Sequence, residues 1–195
     1  DIDDKLYGGM NNGELTFFVG GPGTGKSLFL QNLALNWITM GKNIIYITLE
    51  LSEELVGLRF DAMILNVGSK DVFSSMDTVA VELGMIGKFG TKGKKWGRLQ
   101  IKKLPEAGTT INTIRAYIKE YEIQTGIKVD GICVDYLDLL YPNSGKVDIN
   151  SSFTKDKYTS EELRGLASEF NILCATASQL NRSSVEAQHF DASHI

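Results

Sequence analysis

Residues Gly20-Gly21-Pro22-Gly23-Thr24-Gly25-Lys26-Ser27 match the phosphate-binding pattern G-x-x-x-x-G-K-[ST]. The flanks restrict the fold as much as the motif does. Leu15-Thr16-Phe17-Phe18-Val19 reads as a buried strand, and Ser27 to Met40 as a helix closed by Gly41. A strand feeding a glycine turn and then a helix aims several backbone N–H groups, and the positive end of a helix dipole, at one anion. A phosphate chain suits that geometry. Lys26 would reach the β- and γ-phosphates, and the Ser27 hydroxyl would ligate Mg2+. The expected cradle comprises Gly21, Pro22, Gly23, Thr24, Gly25, Lys26, Ser27 and Leu28. The expected ligands are a nucleoside triphosphate and Mg2+.

The rest of the chain alternates strand and helix, the pattern of a mainly parallel sheet covered by helices on both faces. Asn43 to Leu49 is an apolar run ending at Glu50. Ser52 is a candidate N-cap, with Glu53 and Glu54 in the first turn of a helix reaching about Asn66. A second helix is expected from Ser69 to Ile86. Lys88 to Arg98, with Lys88, Lys92, Lys94, Lys95 and Arg98 among three glycines, reads as a solvated mobile loop; a phosphate or subunit contact is the alternative. Arg98 to Lys102 alternates like a half-exposed strand. Ile111, Ile114, Ile118 and Tyr121 stripe a helix that stops at Gly126. Ile132-Cys133-Val134 leads to Asp135 as a central strand. Pro142 to Asp156 reads as a long loop, and Thr159 with Glu162 as a capping box for a helix through Phe170. Ile172 to Ala177 is the last strand, delivering Ser178 and Gln179.

Length and composition set outer limits. The 195 residues suffice for one domain, and 43% hydrophobic with 23% charged residues is ordinary globular usage. The sequence has no stretch of eighteen apolar residues and no signal peptide at its start. Cys133 and Cys174, both within apolar runs, read as buried reduced thiols, which suits a cytosolic setting. The net charge of −4 argues against coating nucleic acid over an open face. Nucleic acid, if bound, would meet local loops.

Ligands of open α/β sheets bind beyond the carboxyl ends of the strands. The phosphate loop, Glu50, Asp135 and Gln179 all fall there. Asp135 suits the carboxylate that holds Mg2+ through water. Glu50 is the candidate general base, because hydrolysis of a γ-phosphate needs a water oriented in line and relieved of a proton. The Gln179 amide can donate to a phosphate oxygen and accept from water, so it can sense the γ-phosphate. His189 and His194 lack metal-ligand partners at suitable spacing and are assigned no chemistry.

Asp3 to Glu14 with the phosphate loop, then Tyr46-Ile47-Thr48-Leu49-Glu50 with Arg59 nine residues on, resembles the start of the RecA-like motor of DnaB-type replicative helicases. Val134-Asp135-Tyr136-Leu137 and Ser178-Gln179-Leu180-Asn181-Arg182 resemble that family's next two motifs. Gly97 to Lys103 and the following helix are similar to the helicases of T-even-type phages. The resemblance covers nearly the whole chain, and it implies a hexameric ring with ATP bound between neighbouring subunits. It also implies single-stranded DNA in a central channel, and a primase or helicase loader as partner of the full-length protein. Glu50, Lys26 and Gln179 would be the catalytic residues, and Ser27 and Asp135 the Mg2+ pair. The DNA loops would follow Tyr141 and Arg182, the first carrying Lys146, Lys155 and Lys157. The expected domain is residues 1–195, a motor cut short before the arginine finger, without the N-terminal primase-interacting domain. Arg164 and Arg182 are the conceivable substitutes for that finger. Such a piece would bind ATP but hydrolyse it feebly.

Two other readings share these residues. A RecA- or RadA-like strand-exchange protein would use the same site as a switch in a filament. A clock-type or signalling ATPase would act on protein.

Overall fold

A computed structural model describes residues 4, 8–74, 76–89, 94–143 and 152–179. Lys92, Lys146, Leu180 to Arg182, His189 and His194 therefore lie outside the described residues. So do positions 144–151 of the first expected DNA loop and the whole of the second. Five strands form one parallel sheet in the order β1-β5-β4-β2-β3: β1 (Leu15–Gly20), β2 (Ile44–Thr48), β3 (Leu99–Lys103), β4 (Gly131–Asp135) and β5 (Leu173–Gln179). The helices are α1 (Lys26–Thr39), α2 (Glu53–Leu65), α3 (Ser69–Ser74), α4 (Met76–Phe89), α5 (Ile111–Thr125) and α6 (Ser152–Phe170), with a 3-10 turn at Leu137–Leu139.

Side chains alternate across each strand, and the two faces hold separate cores. Ile45, Ile47, Ile132, Val134 and Cys174 pack with Ile111, Ile114 and Ile118 of α5 and Leu163 and Leu166 of α6. Ile44, Tyr46, Cys133, Ala175 and Ala177 meet Leu30, Ala34 and Trp37 of α1 and Val56 and Phe60 of α2 on the other face. The two cysteines are free, fully buried and on opposite faces, and burial pushes both thiols far above their ordinary value.

Local signals place most elements. Ser52 accepts from the Leu55 N–H as the α2 cap, and Asn66 closes that helix in the left-handed region. Gly126, at φ +68°, stops α5.

Four expectations need correction. β1 is not buried: it is a sheet edge among the described residues, pairing with β5, and Phe17 and Val19 are 37% and 40% exposed. An apolar run does not say whether a neighbour covers it. The span from Ser69 holds two helices, α3 and α4, rather than one. The described end of the Lys88–Arg98 segment is packed, not a free loop. Trp96 joins the α1 face, Gly97 donates to the Ile38 carbonyl at 2.8 Å, and Arg98 donates its N–H to Asn43 Oδ1 at 3.0 Å. Finally, α6 starts at Ser152, so Phe153 to Asp156 are helical and Thr159 is an interior residue. Its hydroxyl donates back to the Lys155 carbonyl at 2.8 Å, while Glu162 accepts from the Asn143 N–H at 2.9 Å. Threonine and glutamate three apart have the same spacing inside a helix as at its start.

Candidate nucleotide site

The carboxyl ends of the strands finish level: Gly20 is in register with Gln179, and Thr48 with Asp135. They open into a cleft of about 340 Å³ lined by Pro22, Gly23, Gly25, Lys26, Ser27, Leu28, Glu50, Arg59, Asp135, Tyr136 and Gln179. Residues from four separate strand ends thus share one hollow.

The loop is shaped by its glycines. Gly23 and Gly25 have φ of +72° and +86°, a region where a side chain is strained, and Gly25 leads directly into α1. The Lys26 ammonium donates to the Gly20 and Gly21 carbonyls at 3.0 and 2.8 Å. Thr24 donates its hydroxyl to the Gly21 carbonyl at 2.8 Å. Gly21 and Thr24 therefore brace the loop and are not among the cleft-lining residues.

Asp135 ends β4 and is 2% exposed. Its Oδ1 accepts from Ser27 Oγ at 3.0 Å, and its Oδ2 from the Tyr46 hydroxyl at 2.9 Å. Burial raises its carboxyl above the usual carboxylate range, and Glu50 adds to this; the bonds from Tyr46 and Ser27, and the Arg59 charge, oppose it. The peptide bond after Asp135 is cis.

Glu50 is exposed at the cleft wall. The bend that presents it is tied on both sides. Thr48 Oγ1 donates to the Leu51 carbonyl at 2.9 Å and accepts from the Leu51 N–H at 3.0 Å, and the Leu49 N–H donates to the Asp135 carbonyl at 2.9 Å. Gln179 is held through Asp138 of the 3-10 turn. Asp138 accepts from Ser178 Oγ and the Gln179 N–H, both at 2.8 Å.

Among the described residues no group of three or more His, Cys, Asp or Glu side chains could cage a metal. One hydroxyl and one carboxylate fit Mg2+, which keeps much of its shell as water and substrate phosphate. Sequence reasoning assigned no chemistry to three neighbours of this site. Arg59 had only its place in the family motif as a signal, Tyr46 lay hidden in an apolar run, and Asp138 lacked any local signal. Lys155, expected near DNA, turns inward here: its ammonium donates to the Asp138 carbonyl and lies 5.6 Å from the Tyr141 ring centroid.

A parallel sheet of this order, with a phosphate loop after β1 and an acidic residue closing β4, is the build of a RecA-like P-loop domain. The family model "DnaB-like helicase C terminal domain" matches residues 1–191, and the chain belongs to that family. It is 32% identical over 188 residues to the DnaB-like replicative helicase of Enterobacteria phage T4, covering 96% of this chain and 39% of that protein. Solved structures agree in fold. One, described as a DnaB-like replicative helicase and its interactions with primase, has a TM-score of 0.73 at 18% identity, over 93% of this chain and 42% of that one. A second, described as an ATPase domain, has a TM-score of 0.72 at 20% identity, over 99% of this chain and 66% of that one. The chain thus spans about two fifths of the phage T4 helicase. Among the described residues no helix is long and apolar enough to cross a membrane.

Proposed function

We propose that this chain is the ATP-hydrolysing motor of a replicative DNA helicase, coupling turnover to movement along single-stranded DNA and to duplex unwinding. The observation that supports this most is the convergence of the phosphate loop, Glu50, Asp135 and Gln179 on one cleft.

Each residue has a role its position allows. The loop N–H groups and the α1 terminus cradle the phosphates of ATP. Lys26 exchanges its Gly20 and Gly21 carbonyls for β- and γ-phosphate oxygens. Ser27 and Asp135 would hold Mg2+, Asp135 through water, and the ion would supply charge neutralisation at the phosphate oxygens. Glu50 orients the attacking water and takes its proton. Gln179 contacts the γ-phosphate, and its tether to Asp138 passes the presence of that phosphate to the 3-10 turn and to Lys155 on α6. These elements border the segment after Tyr141, which we place at the DNA. Assembly is a homo-oligomeric ring, hexameric by family, with ATP between subunits. A primase or loader is the partner in the full-length protein, which works in the cytoplasm.

Unwinding of a forked duplex by the full-length protein, with ATP and Mg2+, tests this reading. Strand separation that requires ATP is expected. A protein that instead pairs homologous strands in a filament, or whose hydrolysis ignores single-stranded DNA, would overturn it.

A further inference from the structure

The inner oxygen of Asp135 is pinned from inside the protein. Tyr46 is fully buried on β2, and its hydroxyl donates to Asp135 Oδ2 at 2.9 Å while also lying 3.5 Å from the Ser27 carbonyl. The ring packs edge-on against Phe60, with centroids 5.6 Å apart, so the hydroxyl has little freedom to leave. Packing alone would be served as well by phenylalanine. What tyrosine adds over phenylalanine here is the hydrogen bond of its buried hydroxyl.

Gln31 supplies a second, independent observation. It lies one helical turn past Ser27 on α1 and is fully buried, its side chain close enough to the Tyr46 hydroxyl to act on it, yet neither its amide nitrogen nor its oxygen makes a well-formed hydrogen bond. It is the one buried amide side chain that lacks a well-formed hydrogen bond among the described residues. A buried amide without a well-formed hydrogen bond is costly, and an apolar side chain of similar size would avoid that cost. Its place gives it a use: beside the Tyr46 hydroxyl, it backs the side chain that holds Asp135 Oδ2.

We propose that Tyr46, backed by Gln31, is a positioning residue that fixes the Asp135 carboxylate, leaving Oδ1 facing Ser27 and the cleft where the magnesium-bound nucleotide sits. This rests on the reading of Asp135 as the carboxylate that reaches the ion. With Oδ2 tied down, the carboxylate cannot rotate, and its outward oxygen stays aligned with the Ser27 hydroxyl. Partners behind a metal-associated carboxylate commonly govern metal affinity without touching the metal.

The test is fluorescent ATP binding to the full-length protein, titrated with Mg2+ and repeated in EDTA, for wild type, Tyr46→Phe and Gln31→Leu. Tyr46→Phe is expected to raise the Mg2+ concentration at half-maximal tight binding about tenfold, while binding in EDTA changes less than about twofold. Gln31→Leu is expected to raise the melting temperature yet shift the Mg2+ midpoint in the same direction, so it carries the test even if Tyr46→Phe folds poorly. An unchanged Mg2+ midpoint in both variants would overturn the proposal, as would equal losses with and without Mg2+, which mark a packing role only. A wild type whose ATP binding ignores Mg2+ would overturn the reading of Asp135 itself, and this proposal with it.

Discussion

The main-chain N–H of Gln179 donates to Asp138 Oδ2 at 2.8 Å, and the other oxygen of that carboxylate takes the Ser178 hydroxyl at the same distance. One side chain on the turn after β4 thereby sets the end of β5. The carboxyl ends of these strands meet in a cleft, so the position of Gln179 depends on a residue that is not among those lining it.

Replacing Asp138 with alanine leaves the buried Ser178 hydroxyl and the Gln179 N–H without their acceptor. Hydrogen bonds to a charged group contribute about 1.5–3 kcal/mol, so ATP turnover should fall roughly 10- to 100-fold. ATP affinity should change little, because the phosphate loop is untouched. Asp138→Asn keeps one acceptor and should fall between. Steady-state hydrolysis beside equilibrium nucleotide binding checks this; equal losses in both would show that Asp138 does not act through Gln179.

Gly97 offers a test of packing. A Cβ there would meet the Lys42 carbonyl oxygen at 1.9 Å and the Lys42 nitrogen at 2.7 Å, both backbone atoms that cannot move aside. Gly97→Ala should destabilise by about 1–3 kcal/mol. Gly84 on α4, with nothing within 4 Å of a built Cβ, should instead gain roughly 0.5–1 kcal/mol as alanine. Thermal melting of both variants gives opposite signs if the segment before β3 is packed as described.

Asp156 supplies a pH dependence. Its Oδ1 is buried and outside hydrogen-bonding geometry, although the Lys155 ammonium is 3.3 Å away. Burial raises its carboxyl above the usual range, with Lys155 opposing. The folded state therefore holds this proton more tightly than the unfolded chain. Its contribution is fully present below the ordinary carboxylate value and is lost as pH rises through the raised one. Asp156→Asn should melt a few degrees higher at neutral pH. That gain should vanish once the pH falls below the ordinary carboxylate value, where aspartate is itself neutral. Melting curves across that range decide it, and a gain independent of pH would contradict the assignment.

Much of this was legible in the residues. Central strands announce themselves as apolar runs, since both faces are covered; Ile44 to Thr48 and Gly131 to Asp135 are buried throughout. The phosphate loop was legible because its glycines answer a backbone requirement. Long-range pairing was not. Nothing near Asp138 in sequence signals that it reaches Gln179, and nothing in an apolar run marks Tyr46 as a hydrogen-bond donor. The start of α6 was hidden because its first turns use serine, lysine and aspartate, residues equally at home in loops. The exposure of β1 was hidden because strand order, not composition, decides which strand lies at an edge.

In the proposed mechanism Glu50 activates water for a γ-phosphate held by the loop after β1. Single-turnover hydrolysis of ATP by the full-length protein on single-stranded DNA, wild type against Glu50→Gln, tests it most directly. Mg2+-ATP binding should survive in the variant while the hydrolysis rate falls about 10²- to 10⁴-fold, the range of general-base catalysis. Glu50→Gln turning over within about threefold of wild type, with the same affinity, would contradict it.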